Sequence, residues 1–286
     1  MSKPRKVDSR EVGLLIGMIL GKAFLDTEDL HYGYWTPDLP VTGANMAQAQ
    51  ENHSKFLISH IPAGTKTILD VGCGTGHLAK KLLALGYQVD GVSPSPLLTE
   101  RARQNLGDAV RIFECTYEEL ETEKRYDLVL FSESFQYVKT GPSLEKTLTL
   151  LRPGGHLLIC DFFKTDAQGK SALGGGHRLS KFYRKIASLP LVAVTDLDIT
   201  RETAPNLALV DEALTRAGIP IRDLIFYFLS HNYPHLSKLL QWQFRQKIEK
   251  LNFKYFSGQR NAANFAKFKS YRLLLYQKVA AREAIP

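Results

Sequence analysis

The stretch Ile68-Leu69-Asp70-Val71-Gly72-Cys73-Gly74-Thr75-Gly76-His77-Leu78 constrains the fold more than any other part of the chain. A short apolar run ends in a carboxylate, breaks into glycines at alternate positions and opens a helical pattern. Glycine admits positive φ and lets a ligand approach the backbone without a Cβ in the way. The free N–H groups of the following helix start can bind polar ligand groups. A dinucleotide fingerprint needs G-x-G-x-x-G, whose helix start receives a pyrophosphate. Here the spacing is G-x-G-x-G with Asp70 two residues upstream. A carboxylate there repels a pyrophosphate and suits a cationic amino-acid ligand, which favours such a ligand over NAD.

Around this loop, short apolar runs alternate with helical patterns, the signature of β-α-β units and a parallel sheet. Strands are predicted at Thr67–Val71, Gln88–Val92, Val110–Glu114, Tyr126–Phe131 and His156–Phe162, with helices around His77–Leu85, Pro96–Asn105 and Leu144–Leu151. Leu151-Arg152-Pro153-Gly154-Gly155 reads as a helix stop and tight turn. A Gly174-Gly175-Gly176 patch and a helix from about Leu179 to Leu189 follow, then a sixth strand at Leu191–Asp198 and a seventh at Tyr271–Lys278. Phe253–Ser257 is an alternative sixth strand. The fold class expected is α/β, a doubly wound, mostly parallel seven-stranded sheet with N-terminal helices and a helical cap. The segments are 1–60, helical and closing over the ligand; 61–200, the core; 201–262, the cap; and 263–286, the final strand and tail.

From Thr67 to Phe162 the chain resembles the class I methyltransferases that use S-adenosylmethionine, in particular their small-molecule sterol, tocopherol and cyclopropane-type branch. The resemblance implies S-adenosyl-L-methionine as cofactor. It places Gly72, Cys73, Gly74, Thr75 and Gly76 along that ligand and Asp70 at its methionine end. Two departures stand out. At the end of the second strand, Gly91-Val92-Ser93-Pro94-Ser95 carries Ser93 where many relatives have a carboxylate for the ribose. The adenine position falls near Thr116 and Tyr117, where the family often has Asp.

The fourth strand leads into Ser132-Glu133-Ser134-Phe135-Gln136-Tyr137, and the carboxyl ends of strands in open parallel sheets face the ligand crevice. Glu133 is therefore a candidate base or cation stabiliser, Ser132 a cofactor contact, and Gln136 and Tyr137 substrate contacts. His31-Tyr32-Gly33-Tyr34-Trp35 resembles the aromatic entry motif of lipid, sterol and amino-group methyltransferases. The resemblance makes His31 and Tyr32 catalytic candidates and puts Tyr34 and Trp35 against the cofactor, where aromatic faces attract a sulfonium. His177 and Tyr233 are further polar candidates for substrate contact. The expected activity is methylation of a small, hydrophobic or amphipathic acceptor at O, C or N. An RNA or protein methyltransferase and a non-catalytic S-adenosylmethionine-binding protein are the alternatives.

Partners are bounded by a net charge of +8, which favours anionic ones. No basic run with interleaved aromatics and no Asp/Asn-Pro-Pro-aromatic stretch is present, so nucleic acid is not expected; peripheral contact with an anionic membrane is. Cys73, Cys115 and Cys160 are odd in number and sit within core or loop patterns, which implies reduced thiols and a cytoplasmic setting. No Cys/His spacing suggests a metal. The apolar run from Val12 to Leu25 contains Lys22 and follows Asp8 and Glu11, a pattern that fits a packed or interfacial helix better than a signal segment.

Overall fold

The computed structural model describes residues 9–25 and 27–279; the ends of the first and last predicted segments, 1–8 and 280–286, lie outside the described residues. Seven strands form one sheet: β1 (Thr67–Val71), β2 (Gln88–Val92), β3 (Arg111–Phe113), β4 (Tyr126–Ser132), β5 (Leu151–Lys164), β6 (Leu191–Asp198) and β7 (Lys269–Lys278). Their order is β3-β2-β1-β4-β5-β7-β6, parallel from β3 to β5, with β7 antiparallel to both of its neighbours. The helices are α1 (Ser9–Leu25), α2 (Met46–Ile58), α3 (His77–Ala84), α4 (Pro96–Leu106), α5 (Thr140–Leu150), α6 (Leu179–Ile186), α7 (Thr200–Thr203), α8 (Pro205–Ala213), α9 (Ile219–Asn232), α10 (Pro234–Tyr255) and α11 (Ala262–Phe268).

Alternate residues of the central strands face opposite layers. Ile68, Leu128, Leu130 and Leu158 pack against Leu57 of α2, Leu82 of α3 and Ala102 of α4. Leu69, Val129, Phe131 and Ile159 pack against Leu144 of α5 and Phe182 of α6. Strands buried on both faces read as continuous apolar runs, which is why β1 is legible.

Two expectations change. Leu151–Gly155 is the start of a long β5 rather than a turn. Pairing with β4 slips between Tyr126↔Leu151 and Leu128↔His156. A Cβ on Gly155 would lie 3.0–3.2 Å from the carbonyl oxygens of Arg152, Asp127 and Tyr126, so glycine permits this bulge. The alternative sixth strand at Phe253–Ser257 is instead largely the end of α10, and Leu191–Asp198 takes the sheet edge, registered from Leu191↔Lys278 to Asp198↔Arg272.

The strand order reverses direction at β1 and β4, and ligands in open α/β sheets bind at the carboxyl ends of strands at such a switch point. No helix among the described residues is long and apolar enough to cross a membrane.

Candidate active site

Gly72, Gly74 and Gly76 all have positive φ, at 77°, 55° and 83°. Their reasons differ. A Cβ on Gly72 would fall 2.4 Å from Cβ of Ser134, and one on Gly76 would fall 2.6 Å from Cδ1 of Leu106. A Cβ on Gly74 meets nothing nearer than Cδ1 of Leu30, at 4.0 Å. Protein packing thus demands glycine at the outer two positions, while the middle one borders open space.

That space is a cavity of about 440 Å³ at the ends of β1, β2 and β4. Of the residues singled out in the sequence, Asp70, Gly72, Cys73, Gly74, Thr75, Ser93, Thr116, Tyr117, Ser132, Glu133, His31 and Tyr137 line it. Asp70 is buried, and its Oδ2 is a buried oxygen without a hydrogen-bond partner. Burial pushes its carboxyl up to about 7. Tyr117 turns its hydroxyl away from the cavity to Thr147, at 2.8 Å, and the Thr116 hydroxyl donates to Glu119 at 2.7 Å. Neither offers a free hydroxyl to the cavity.

Glu133 is the one non-glycine residue with positive φ among those described, at 52°. Such a backbone costs about 1–3 kcal/mol and persists where its surroundings over-determine it. Its N–H donates to the Cys160 carbonyl at 2.8 Å, while its Oε1 accepts from the Tyr32 N–H at 2.5 Å and the Tyr271 hydroxyl at 2.8 Å. Oε1 takes both bonds, and Oε2 takes neither. Burial pushes this carboxyl up to about 8, against the lowering pull of the Tyr32 N–H.

Behind Tyr271 stands His53, with Nε2 2.9 Å from the hydroxyl. Tyr271 has one proton and gives it to Glu133, so His53 donates through Nε2 and its buried Nδ1, which has no partner, is the bare nitrogen. The His53 ring stacks on His31 at 4.7 Å. His31 holds its Nδ1 2.9 Å from the Tyr32 carbonyl and its Nε2 3.4 Å from Ser54 Oγ, and burial lowers its pKa.

The rest of the aromatic motif anchors the segment. Tyr32 sits among Phe162, Phe265 and Tyr271, with centroids 5.7–6.1 Å apart. Asn206 clasps both backbone groups of Gly33 at 2.8 Å, and a Cβ on Gly33 would fall 2.5 Å from Cβ of Ala49. Tyr34 stacks on Phe56 at 4.8 Å, and Trp35 is buried. Tyr32, Tyr34, Trp35, Gly76, Gln136, His177 and Tyr233 do not line the cavity. Gln136 is tied to Asp161, and His177 Nε2 to the Phe135 carbonyl at 3.0 Å. Tyr233 is exposed between α9 and α10.

A closing N-terminal segment is expected from the sequence, but not the residues by which this strap borders the cavity. Asp29, Leu30 and Leu14 line it, and acidic side chains fix the strap to the helices of the glycine loop. Arg101 on α4 holds both oxygens of Glu28 at 2.9 and 3.0 Å, and Asp29 lies 3.3 Å from His77 and 3.8 Å from Lys81 on α3. Burial raises the Asp29 carboxyl, but the hydrogen bond from His77 and the charges of His31 and Lys81 outweigh it and set it at about 2. An acidic pair ahead of an aromatic motif carries no signal until α3 and α4 bring their basic residues to it.

A seven-stranded sheet with its seventh strand reversed, a glycine turn opening on a buried carboxylate, and a second carboxylate at the end of β4 together define the fold and crevice of a class I methyltransferase. The family model described as a methyltransferase domain matches residues 46–194, and the chain belongs to that family. The sarcosine/dimethylglycine N-methyltransferase of Aphanothece halophytica is 34% identical over 148 residues, covering 49% of this chain and 52% of that protein. The chain spans about half the length of the curated relatives it matches. Among solved structures, the geranyl diphosphate C-methyltransferase of Streptomyces coelicolor, in complex with Mg2+, geranyl diphosphate and S-adenosyl-L-homocysteine, superposes with a TM-score of 0.64 at 18% identity, covering 96% of this chain and 100% of that one. The cyclopropane synthase of Mycobacterium tuberculosis gives 0.65 at 16% identity, covering 90% and 93%. Likeness at these identities concerns the fold.

Proposed function

We propose that the protein binds S-adenosyl-L-methionine in the cavity and transfers its methyl group to a small, hydrophobic or amphipathic acceptor at O, C or N. The observation that carries this reading is Asp70, a buried carboxylate oxygen without a partner, set beside the open face of Gly74. A buried acceptor of this kind is costly unless a ligand donor completes it. A cationic ammonium is the group that would also hold the carboxyl ionised. Thr75, Ser93, Thr116 and Tyr117 continue the wall along which a nucleoside would lie.

When bound, the cofactor supplies an electrophilic methyl group on a sulfonium. The protein has to align the acceptor and exclude water. In this reading Asp70 and the glycine loop orient the methionine end, and the strap at Glu28–His31 closes the crevice. Glu133 Oε2 removes a proton from a hydroxyl or amine acceptor, or stands opposite a developing cation. His31 is less suited as a base, because Ser54 faces its free nitrogen. Residues 1–60 would then close the ligand site and 61–200 with 263–286 form the core, whereas no residue of 201–262, the segment expected as a cap, lines the cavity. Two of the three similar proteins named above act, by their names, on sarcosine or dimethylglycine and on geranyl diphosphate, all small molecules. The remaining partner we propose is an anionic membrane surface, with no nucleic acid, and the compartment the cytoplasm, in keeping with three free cysteines.

A screen with labelled methyl donor tests the acceptor class. Extracted lipids, isoprenoids and quinols should accept label; label appearing only on small polar amines and acids would refute the hydrophobic class.

A further inference from the structure

Helices α9 and α10 form a hairpin of 14 and 22 helical residues in which the only buried side chain is Ser237. Yet α9 reads Ile-Pro-Ile-Arg-Asp-Leu-Ile-Phe-Tyr-Phe-Leu-Ser-His-Asn, an apolar sequence of the kind normally found inside a protein. Ile221, Leu224, Tyr227 and Phe228 are more than half exposed, and Trp242 on α10 is 75% exposed. Isolated exposed apolar residues need no explanation, but a continuous set on one projecting element marks a surface that something covers.

Charge identifies what covers it. From Ile219 to Tyr255 there are six basic and two acidic residues. Both acidic ones are already paired, Asp223 with Arg222 at 2.7 Å and Glu249 with Arg245 at 2.9 Å. Lys238, Lys247, Lys250 and Lys254 have no acidic partner among the described residues. A second copy would bring four more uncompensated ammonium groups against these, on a chain already at +8. An anionic bilayer instead offers phosphates to the lysines and an acyl boundary to the apolar side chains. Lysine stems also lie along apolar surface while their ammonium groups reach the headgroups.

We propose that the α9–α10 hairpin is an interfacial docking element for anionic phospholipid bilayers. It lies in the headgroup region without spanning the membrane. The inference stands independently of the methyl-transfer reading, since no hairpin residue lines the cavity.

The test uses the whole chain, vesicles of phosphatidylcholine alone, and vesicles of phosphatidylcholine with phosphatidylglycerol. Trp35 is buried, so a shift in indole emission reports Trp242. Blue-shifted emission and co-sedimentation are expected with the phosphatidylglycerol vesicles only, and reversal by high salt. Replacing Lys238, Lys247, Lys250 and Lys254 together by Glu should weaken binding at least ~100-fold. Leu224→Ser with Phe228→Ser should weaken it at least ~10-fold, with far-ultraviolet dichroism unchanged because both sites are exposed. Binding indifferent to phosphatidylglycerol and to the lysine substitutions, or no binding at all, would overturn the proposal. So would a stable dimer by light scattering that the Leu224→Ser/Phe228→Ser variant dissociates, since the occupant would then be a second copy.

Discussion

Tyr271, on the antiparallel strand β7, donates a 2.8 Å hydrogen bond to Oε1 of Glu133, 138 residues earlier at the end of β4. The bond joins the sheet's one reversed strand to its strained residue, and with the Tyr32 N–H it engages Oε1 and leaves Oε2 outside both bonds. Tyr271→Phe removes a donor that favours the ionised form, so the pH at which Glu133 becomes a base should rise by about one unit. The rising limb of a pH–rate profile with labelled methyl donor should move up with it while cofactor affinity stays constant. An unmoved profile would make the contact purely structural.

Glu133→Gln keeps the size and removes the charge. Turnover should fall at least ~10-fold, with cofactor affinity within about twofold of wild type, if the carboxylate acts at the reacting end as proposed. Full activity in this variant would return Glu133 to a packing role.

Asp70 should couple stability to pH in the opposite sense from an ordinary ion-paired carboxylate. Its folded pKa is raised from 3.8 to about 7, so between those values the folded state holds a proton that the unfolded chain has released. Stability of the ligand-free protein therefore falls as pH rises through that window. Asp70→Asn should make this dependence shallower, leaving the share of the same sign from the raised Glu133 and Asp161 carboxyls, and stabilise the ligand-free protein at pH 8 by about 1–3 kcal/mol, while weakening S-adenosylmethionine binding. Denaturant titrations at pH 5 and pH 8 measure the first effect. A variant with the wild-type slope would show that Asp70 ionises freely.

The strap should govern release. Arg101→Ala removes the two-pronged hold on Glu28, a partly exposed pair worth on the order of 1 kcal/mol. Stopped-flow release of bound ligand should accelerate about fivefold, and high salt should accelerate release from wild type in the same direction. Equal release rates would separate the strap from gating.

Local and periodic features were legible in the sequence. The limits of β1, β2 and β6 agree to the residue with those observed: β6, mostly exposed at the sheet edge, is marked by the β-branched Val192, Val194 and Thr195, and β1 and β2 are largely buried runs bounded by turn residues. The glycine loop was legible for the same reason. The division of labour among its glycines was not: Gly72 and Gly76 answer to Ser134 and Leu106, distant in sequence. The aromatic motif was visible as a motif, yet Tyr34 and Trp35 meet Phe56 and Glu202, and it is the Tyr32 backbone N–H that meets Glu133. Buried polar networks such as Glu133–Tyr271–His53 are non-local, so single residues give no hint of them. The turn assigned to Leu151–Gly155 failed because Pro and Gly punctuate bulges as well as turns.

The most direct measurement is titration calorimetry of S-adenosyl-L-methionine into the wild-type chain and Gly74→Val. Gly74 has no protein atom closer than 4.0 Å to a built Cβ, so a side chain there enters ligand space and its cost to the fold is the strain of a φ of 55° rather than a clash such as the one at Gly72. The account predicts one micromolar site in wild type, none in a folded Gly74→Val, and no competition from NAD. Unchanged binding in folded Gly74→Val, or heat from NAD with none from S-adenosylmethionine, would contradict it.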